Sequence, residues 1–144
     1  MQRSIVHVRV IYADVDRMNV VHHANYLRYF ETARTEFLRR RGASYAEVEA
    51  SGVIMPIIDV QLRYHAPARY DDLLAIDVHI TEIRPVAVTF GYAVRRVGEE
   101  TLLVRGSTAL ASCNAAGRPV RLPAFVRELL DRSEQVKSGD GGSD

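Results

Sequence analysis

The sequence has little of what several classes of protein require. Its 144 residues include one cysteine, Cys113, so a disulfide within the chain and a multi-cysteine zinc site are both excluded. The longest apolar run, 53–58, is far shorter than the roughly 18–20 residues of a membrane-spanning helix. Residues 1–16 alternate apolar with polar side chains and lack the apolar core of a signal peptide. We therefore expect a cytoplasmic protein with no membrane span.

The charge of the chain is nearly balanced. Nineteen Lys and Arg against eighteen Asp and Glu give a net charge of +1, which does not support a general nucleic-acid surface. Hydrophobic residues make up 47% and charged residues 26%, the composition of a globular protein. The length predicts a single domain over residues 1–137. Residues 138–144 contain no apolar side chain, and we expect them to form a disordered tail.

The hydrophobic pattern predicts one strand, one long helix and then four strands. Apolar residues recur with helical spacing between His22 and Arg41, and Gly42 is placed to end this helix in the left-handed conformation. Residues 44–52 form a polar connector, and Pro123 suits the first turn of a short C-terminal helix to about Arg132. Alternating apolar and polar residues predict strands at 5–12, 58–65, 74–81, 86–97 and 101–114.

This order of elements predicts an α+β fold. The simplest way to bury the apolar helix stripe and the strand faces together is a curved antiparallel sheet wrapped around a long central helix. The edges and the outer face of such a sheet would be available to a partner chain.

The chemically informative segment precedes and begins the long helix. It places Asp14 and Asp16 in a polar loop, then His22, His23 and Asn25 around the helix start. A helix N-terminus presents free N–H groups that stabilise a developing oxyanion, and a nearby carboxylate could attack a carbonyl or activate water. This combination suits acyl transfer. On spacing alone, a turn or cap role is the commoner one for an Asp before a helix.

The segment YADVDRMNVVHHANYLRYFETARTEFLRRRG, residues 12–42, resembles the signature of hotdog-fold acyl-CoA thioesterases. The likeness is to the 4-hydroxybenzoyl-CoA thioesterase group and its Tol–Pal-associated branch, and it extends in outline over residues 4–130. The family pattern is roughly Y-x-D-T-D-x-x-G-x-V-Y-H-A-x-Y, followed by F-E-x-A-R-x-E. The residues in register are Tyr12, Asp14, Asp16, Val21, His23, Ala24, Tyr26, Phe30, Glu31, Ala33, Arg34 and Glu36.

The resemblance implies a catalytic role for Asp16, as nucleophile or as general base, assisted by His23 and Tyr12. A backbone N–H near His23 would polarise the thioester carbonyl. Asn19 replaces the usual glycine of the turn, and asparagine tolerates a positive φ. His22 replaces the usual aromatic residue.

Substrate contacts are expected from three residues. His22 and Asn25 flank the start of the helix, and Arg84 is the arginine that we expect at a CoA phosphate. The resemblance implies no metal or redox cofactor, and we expect no metal site at His22 and His23, because adjacent histidines on a helix point about 100° apart. The family forms homodimers by joining sheets edge to edge, often paired into homotetramers, with active sites at the interface.

Two other kinds of function remain open at this stage. A dehydratase or another CoA-thioester enzyme could use the same fold, although the sequence carries no hydratase motif. The chain could also be a non-catalytic acyl-CoA sensor or an adaptor for an envelope complex.

Overall fold

The fold is built from five strands and three helices, and the hydrophobic pattern predicts all of these elements except the short second helix. The computed structural model describes residues 2–134, so the predicted domain end at 137 and the tail at 138–144 lie outside the described residues. The strands are β1 (Arg3–Arg9), β2 (Ile57–Tyr64), β3 (Leu73–Arg84), β4 (Ala87–Arg96) and β5 (Val104–Ala111). The helices are α1 (Asn25–Arg39), α2 (Tyr45–Ala50) and α3 (Ala124–Asp131).

The strands form one antiparallel sheet in the order β1-β3-β4-β5-β2. Alternate residues of the central strands are buried beneath α1, as Ile76 and Val78 of β3 illustrate. The predicted α+β architecture, with a long helix against an antiparallel sheet, is confirmed. Within residues 2–134, no helix has both the length and the apolar character needed to cross a membrane.

The apolar stripe of α1 forms the centre of the core. The Phe37 ring meets the Phe90 ring edge-on at 5.6 Å, and the Phe30 ring stacks on Tyr92 at 4.0 Å. Gly106 of β5 permits this stacking, because a Cβ there would lie 2.8 Å from the Phe30 ring. The stripe residues are all buried, as their helical spacing predicts: Tyr26, Tyr29, Phe30, Ala33, Phe37 and Leu38.

Contacts between residues that are distant in sequence shift two of the predicted boundaries, the start of α1 and the end of β1. The predicted helix start at His22 is wrong by three residues, because the His22 N–H donates to the Asp14 carbonyl instead of entering the helix. The first strand ends at Arg9 rather than at residue 12, since the chain turns into a short 3-10 helix at Tyr12–Asp14.

The connector predicted at 44–52 contains the short helix α2. Ser44 caps it by accepting a hydrogen bond from the Glu47 N–H, and the Glu47 side chain reaches back to the Ser44 N–H. This reciprocal pair is a capping box, a pattern that starts helices even in polar segments.

Arg41 follows α1, which ends two residues before the helix end that the periodicity predicts. The helix ends at Arg39, and Arg41 is fully buried with its guanidinium 3.6 Å from the centroid of the Phe37 ring. It donates to the Ser4 hydroxyl at 2.7 Å and to the Arg132 carbonyl at 2.8 Å. Burial lowers the pKa of Arg41. Arg41 therefore joins the end of α1 to β1 and to the chain after α3, and Gly42 follows with a φ of 107°.

Candidate active site

The loop between β1 and α1 is closed by its own backbone. The Asp16 N–H donates to the Val20 carbonyl at 2.9 Å, and the Asn19 N–H donates to the Asp16 carbonyl at 2.9 Å. Asn19 has a φ of 61°, so this asparagine supports the turn in the way expected of a glycine replacement. The bridge between Val20 and Arg69 holds the loop against the segment that leads into β3.

This closed loop presents the Asp16 carboxylate at the surface. The Asp16 Oδ1 accepts a hydrogen bond from the Met18 N–H at 2.8 Å, which restrains the side chain. Asp16 is half-buried and borders an open cavity of about 660 Å³ together with Tyr12, Val15, Arg17 and Asn19. The carboxylate is therefore both restrained and accessible to a ligand.

Tyr12 and Asp16 line the same cavity. The Tyr12 side chain is 79% exposed, and its ring contacts the Tyr70 ring edge-on at 5.7 Å. The sequence alternation did not single out Tyr70, because the partner of its ring is distant in the chain. The exposed Tyr12 ring gives one side of the cavity an aromatic surface, and the Tyr70 ring packs against it.

Asp14 lies beneath the loop and is almost fully buried. Its carboxylate accepts hydrogen bonds from the Tyr29 hydroxyl at 2.8 Å and from the Ile11 N–H at 3.1 Å, and it forms an ion pair with Arg28. Burial, together with the hydrogen bond to Asp14, raises the pKa of the Tyr29 phenol. The phenol therefore remains a neutral hydrogen-bond donor to the carboxylate.

The Asp14 backbone connects the loop to the start of α1. Its carbonyl accepts from the His22 N–H at 2.9 Å and from the Asn25 side-chain amide at 2.7 Å. Asp14 thus does more than the predicted turn or cap role, because it holds both the loop before it and the helix start after it. Arg28 and Tyr29 belong to this arrangement, and only their helical position was visible in the sequence.

The two histidines precede the helix and stack on one another. Their ring centroids are 4.2 Å apart with planes inclined by 28°, so the expected divergence of about 100° does not apply to them. The His22 Nδ1 accepts from the Ala24 N–H at 3.2 Å. Within residues 2–134, no three His, Cys, Asp or Glu side chains are grouped closely enough to hold a metal.

His23 lies in a second depression, of about 250 Å³, between the helix start and the end of β2. The Tyr64 hydroxyl donates to the His23 carbonyl at 2.9 Å. The His23 N–H makes no backbone hydrogen bond within residues 2–134. Asp16 and His23 therefore border two separate depressions, and the Asp14 carbonyl joins the Asp16 loop to the chain at His22.

Arg84 is the one predicted site residue that lies far from the others in the protomer. It is the last residue of β3, roughly 35 Å along the strand from the end near the Asp16 loop. It is exposed and forms an ion pair with Glu82 at 3.1 Å. A single protomer does not bring Arg84 together with Asp16.

Comparisons with known proteins identify the family. A long helix against a five-stranded antiparallel sheet is the architecture of the hotdog-fold thioesterases among the structural neighbours. The family model described as the thioesterase-like superfamily matches residues 10–130. The chain belongs to this superfamily, which confirms the resemblance found in the sequence and the assignment as a thioester hydrolase.

Individual relatives agree with this placement. The acyl-CoA thioester hydrolase YbgC of Escherichia coli is 38% identical over 106 residues, which cover 74% of this chain and 78% of the relative. The DHNA-CoA thioesterase of Staphylococcus aureus has a TM-score of 0.83 at 27% identity, covering 91% of this chain and 88% of that one. The 4-hydroxybenzoyl-CoA thioesterase has a similar fold, with a TM-score of 0.80 at 23% identity over 89% of this chain and 98% of that one.

Proposed function

We propose that this protein hydrolyses the thioester bond of an acyl-CoA or aryl-CoA, giving a free acid and CoA, with Asp16 as the reacting carboxylate. The observation that carries the proposal is the Asp16 side chain, restrained by the Met18 N–H at the border of an open cavity. The name of the Escherichia coli relative, an acyl-CoA thioester hydrolase, supports CoA thioesters as the substrate class.

Two routes are compatible with this carboxylate. As a nucleophile, an Asp16 oxygen bonds to the thioester carbon, the C–S bond breaks and CoA leaves as the thiol after gaining a proton; water then hydrolyses the mixed anhydride. As a general base, Asp16 removes a proton from the water that attacks the carbon directly. Each route consumes one water molecule and regenerates the carboxylate.

The backbone before α1 provides a site for the developing oxyanion. The His23 N–H has no backbone acceptor within residues 2–134 and lies two residues before the first helical residue. Free N–H groups and the positive end of the helix dipole stabilise negative charge at such a position. We propose that this N–H polarises the thioester carbonyl, while the Tyr64 hydroxyl holds the His23 carbonyl and so orients the peptide.

The other predicted site residues have separate roles in this proposal. Tyr12, exposed beside Asp16, contacts the acyl group or its thioester end. His22 is exposed at the helix start and is available to the substrate. Asn25 donates its amide N–H to the Asp14 carbonyl, which leaves its side-chain oxygen for substrate binding.

The free edge of the sheet supports an oligomer, as a homodimer or as a homotetramer built from dimers. β2 is the terminal strand of the sheet, and its apolar residues Ile57, Ile58 and Val60 are 47%, 61% and 40% exposed. A long, apolar and unpaired strand edge favours pairing with another chain. We propose that β2 pairs antiparallel with β2 of a second copy, which makes one continuous sheet.

This dimer gives Arg84 a place near the substrate. The Ile57 end of β2 and the Arg84 end of β3 lie at the same end of the sheet, since Ile57 pairs with Leu110 and Leu110 with Val88. Antiparallel pairing of the two β2 strands would bring that end beside the other protomer's Tyr64. Arg84 of the partner subunit would then lie on the side of the interface where CoA phosphates leave the site.

Hydrolysis is tested with a panel of acyl-CoA and aryl-CoA esters and a thiol reagent that measures released CoA. Asp16→Asn should lower turnover at least about 100-fold, within the range lost with a positioned acid–base group. The asparagine oxygen can still accept from the Met18 N–H, so the loop should remain folded. Asp131→Asn, at the exposed end of α3, is the matched control and should keep wild-type turnover.

The outcomes separate the alternatives. Wild-type turnover in Asp16→Asn would contradict the assignment of the carboxylate. Binding of CoA esters without turnover by the wild-type protein would favour the sensor hypothesis over hydrolysis. The cytoplasmic location stays a prediction.

A further inference from the structure

The register of the proposed dimer is defined by the residues on the free edge of β2. β2 pairs with β5 so that Asp59 opposes Ala109, Gln61 opposes Ser107 and Arg63 opposes Arg105. On the other side of β5, the Ser112 N–H donates to the Val86 carbonyl beside β4. Backbone groups alternate in direction along an antiparallel ladder, so even-numbered residues of β5 bond toward β4 and odd-numbered residues bond toward β2.

This alternation identifies the unpaired backbone groups. The odd-numbered residues of β2 from Asp59 to Arg63 bond to β5, which leaves the N–H and C=O groups of Val60, Leu62 and Tyr64 directed outward. A second β2 strand must therefore hydrogen-bond to these even-numbered residues. Pairing an even-numbered residue with an odd-numbered one would also place side chains on the wrong face of the sheet.

Charge on the outer face distinguishes the remaining registers. Arg63 and Arg105 oppose each other directly across β2 and β5, and neither forms an ion pair with a carboxylate within residues 2–134. Like charges in this relation are destabilising. Asp59, on the same face of β2, also lacks an ion pair there and contacts only the Gln61 amide at 3.4 Å. The face thus carries two neighbouring arginines at one end and a free carboxylate at the other.

We infer that two copies of the chain pair through β2 with Gln61 on the two-fold axis. In this register Arg63 opposes Asp59 of the partner subunit, and the symmetry repeats the ion pair. Both pairs occupy non-hydrogen-bonded positions, where side chains approach most closely. Each partner carboxylate also lies beside the Arg63–Arg105 pair and offsets its repulsion.

The other registers do not place Arg63 opposite Asp59 of the partner subunit. With Val60 on the axis, Asp59 of the partner subunit opposes Gln61 instead of Arg63, so the arginine gains no carboxylate. With Leu62 on the axis, Arg63 opposes Gln61 of the partner subunit, so the arginine gains no carboxylate. With the axis at Asp59, two carboxylates would face each other directly. With the axis at Arg63, two guanidinium groups would do so.

The inferred register also completes the depression at His23. Leu62 opposes Val60 of the partner subunit on the face that carries α1, and Tyr64 lies beside the β-bulge that β2 of the partner subunit has between Ile57 and Asp59. The Tyr64 hydroxyl contacts the His23 carbonyl, so this apolar segment of the partner subunit lies beside the proposed oxyanion site. The second copy thus contributes an apolar wall to this depression. The inference rests on the dimer included in the proposed function.

Disulfide trapping tests the register directly. Cysteine is introduced singly at Val60, Gln61 or Leu62, the full chain is oxidised, and covalent dimer is measured on a non-reducing gel. Gln61→Cys should cross-link at least about tenfold faster than Val60→Cys or Leu62→Cys, because residues opposing their own copies across a non-hydrogen-bonded pair have the Cα separation that a disulfide needs. The wild-type protein is the control, since Cys113 is buried.

Charge reversal is the independent measurement. Arg63→Asp and Asp59→Arg should each raise the dimer dissociation constant at least about tenfold, and combining them should restore it to within about threefold of wild type. Arg95→Asp makes the same charge change on the outer face of β4, two strands from the edge, and should leave the dimer unchanged.

Each contrary result has a distinct meaning. Faster cross-linking at Val60 or at Leu62 overturns the register, as does a double variant that dimerises no better than the single variants. A monomer in light scattering that cross-links at none of the three positions overturns pairing through β2. None of these results depends on turnover, so failure of the register is distinguishable from failure of hydrolysis at Asp16.

Discussion

The Tyr29 hydroxyl donates a 2.8 Å hydrogen bond to the Asp14 carboxylate, and this contact joins the interior of α1 to the loop that carries Asp16. Both side chains are buried, and the Asp14 backbone also receives hydrogen bonds from the helix start. The position of the Asp16 carboxylate therefore depends on a residue of α1 that does not border the Asp16 cavity.

Tyr29→Phe removes this hydrogen bond without changing the shape of the ring. The Asp14 carboxylate then loses a buried donor, and we expect the free energy of unfolding to fall by about 1.5–3 kcal/mol in urea denaturation. Turnover should fall roughly tenfold, because a small displacement of the Asp16 loop misplaces the reacting group. Tyr45→Phe is the control, since it removes a buried hydroxyl bonded to the Met55 carbonyl, away from Asp14. Equal turnover in the two variants would contradict the positioning role.

Buried tyrosines predict a loss of stability at alkaline pH. Burial raises the pKa of Tyr26, Tyr29, Tyr45 and Tyr92 above their ordinary value of about 10. These phenols stay neutral in the folded protein and ionise first in the unfolded chain. Their stabilising effect is thus complete below about pH 10 and is lost as the pH rises from there through the folded-state pKa values.

Denaturation curves measured from pH 8 to 11 should show the free energy of unfolding falling above about pH 10. Each phenol contributes a slope of up to about 1.4 kcal/mol per pH unit once its unfolded form is ionised. Tyr92→Phe should reduce the slope by one such contribution. A free energy of unfolding that stays constant to pH 11 would show that these phenols ionise alike in both states.

The sequence predicts the elements of this fold better than their ends. Periodicity identifies α1 because its apolar residues recur about every 3.6 positions. This spacing depends only on the local sequence. The start of α1 depends instead on the hydrogen bond from His22 to Asp14, and the burial of Arg41 depends on Ser4 and Arg132. Such contacts join residues that are distant in the chain, so no local pattern reports them.

The residues of the candidate site likewise fall into two groups, those that the sequence predicts and those that only the fold brings together. Asp16 and His23 follow from the resemblance, since both lie within one continuous segment. Tyr64 and Tyr70 reach the site from other parts of the chain, and only the folded sheet brings them there. Arg84 lies at the far end of β3 within the chain, and no local pattern reports its distance from Asp16.

Arg41 provides a test of buried charge in this fold. Arg41→Met keeps most of the apolar stem but removes the donors to the Ser4 hydroxyl and the Arg132 carbonyl. We expect the free energy of unfolding to fall by about 2–4 kcal/mol, because buried acceptors lose charge-assisted hydrogen bonds. Arg39→Met, which breaks only an exposed pair with Glu36, should cost less than about 1 kcal/mol. Similar losses in both variants in urea denaturation would contradict the structural role of Arg41.

Gly106 of β5 lies close against Phe30 of α1. A methyl group at this position would lie 2.8 Å from both the Phe30 ring and the Gln61 carbonyl oxygen. The ring could shift only by disturbing its stack on Tyr92, and the carbonyl belongs to the neighbouring strand. Gly106→Ala should therefore lower the free energy of unfolding by about 1–3 kcal/mol, as overpacking of a core does.

The neighbouring Ser107 supplies the matched control for this prediction, because its side chain lies on the outer face of the sheet, away from Phe30. Ser107→Ala should change the free energy of unfolding by less than about 0.5 kcal/mol in the same urea measurement. If Gly106→Ala were as stable as Ser107→Ala, the helix and sheet would have room to separate, and the stack of Phe30 on Tyr92 would not require a glycine opposite it.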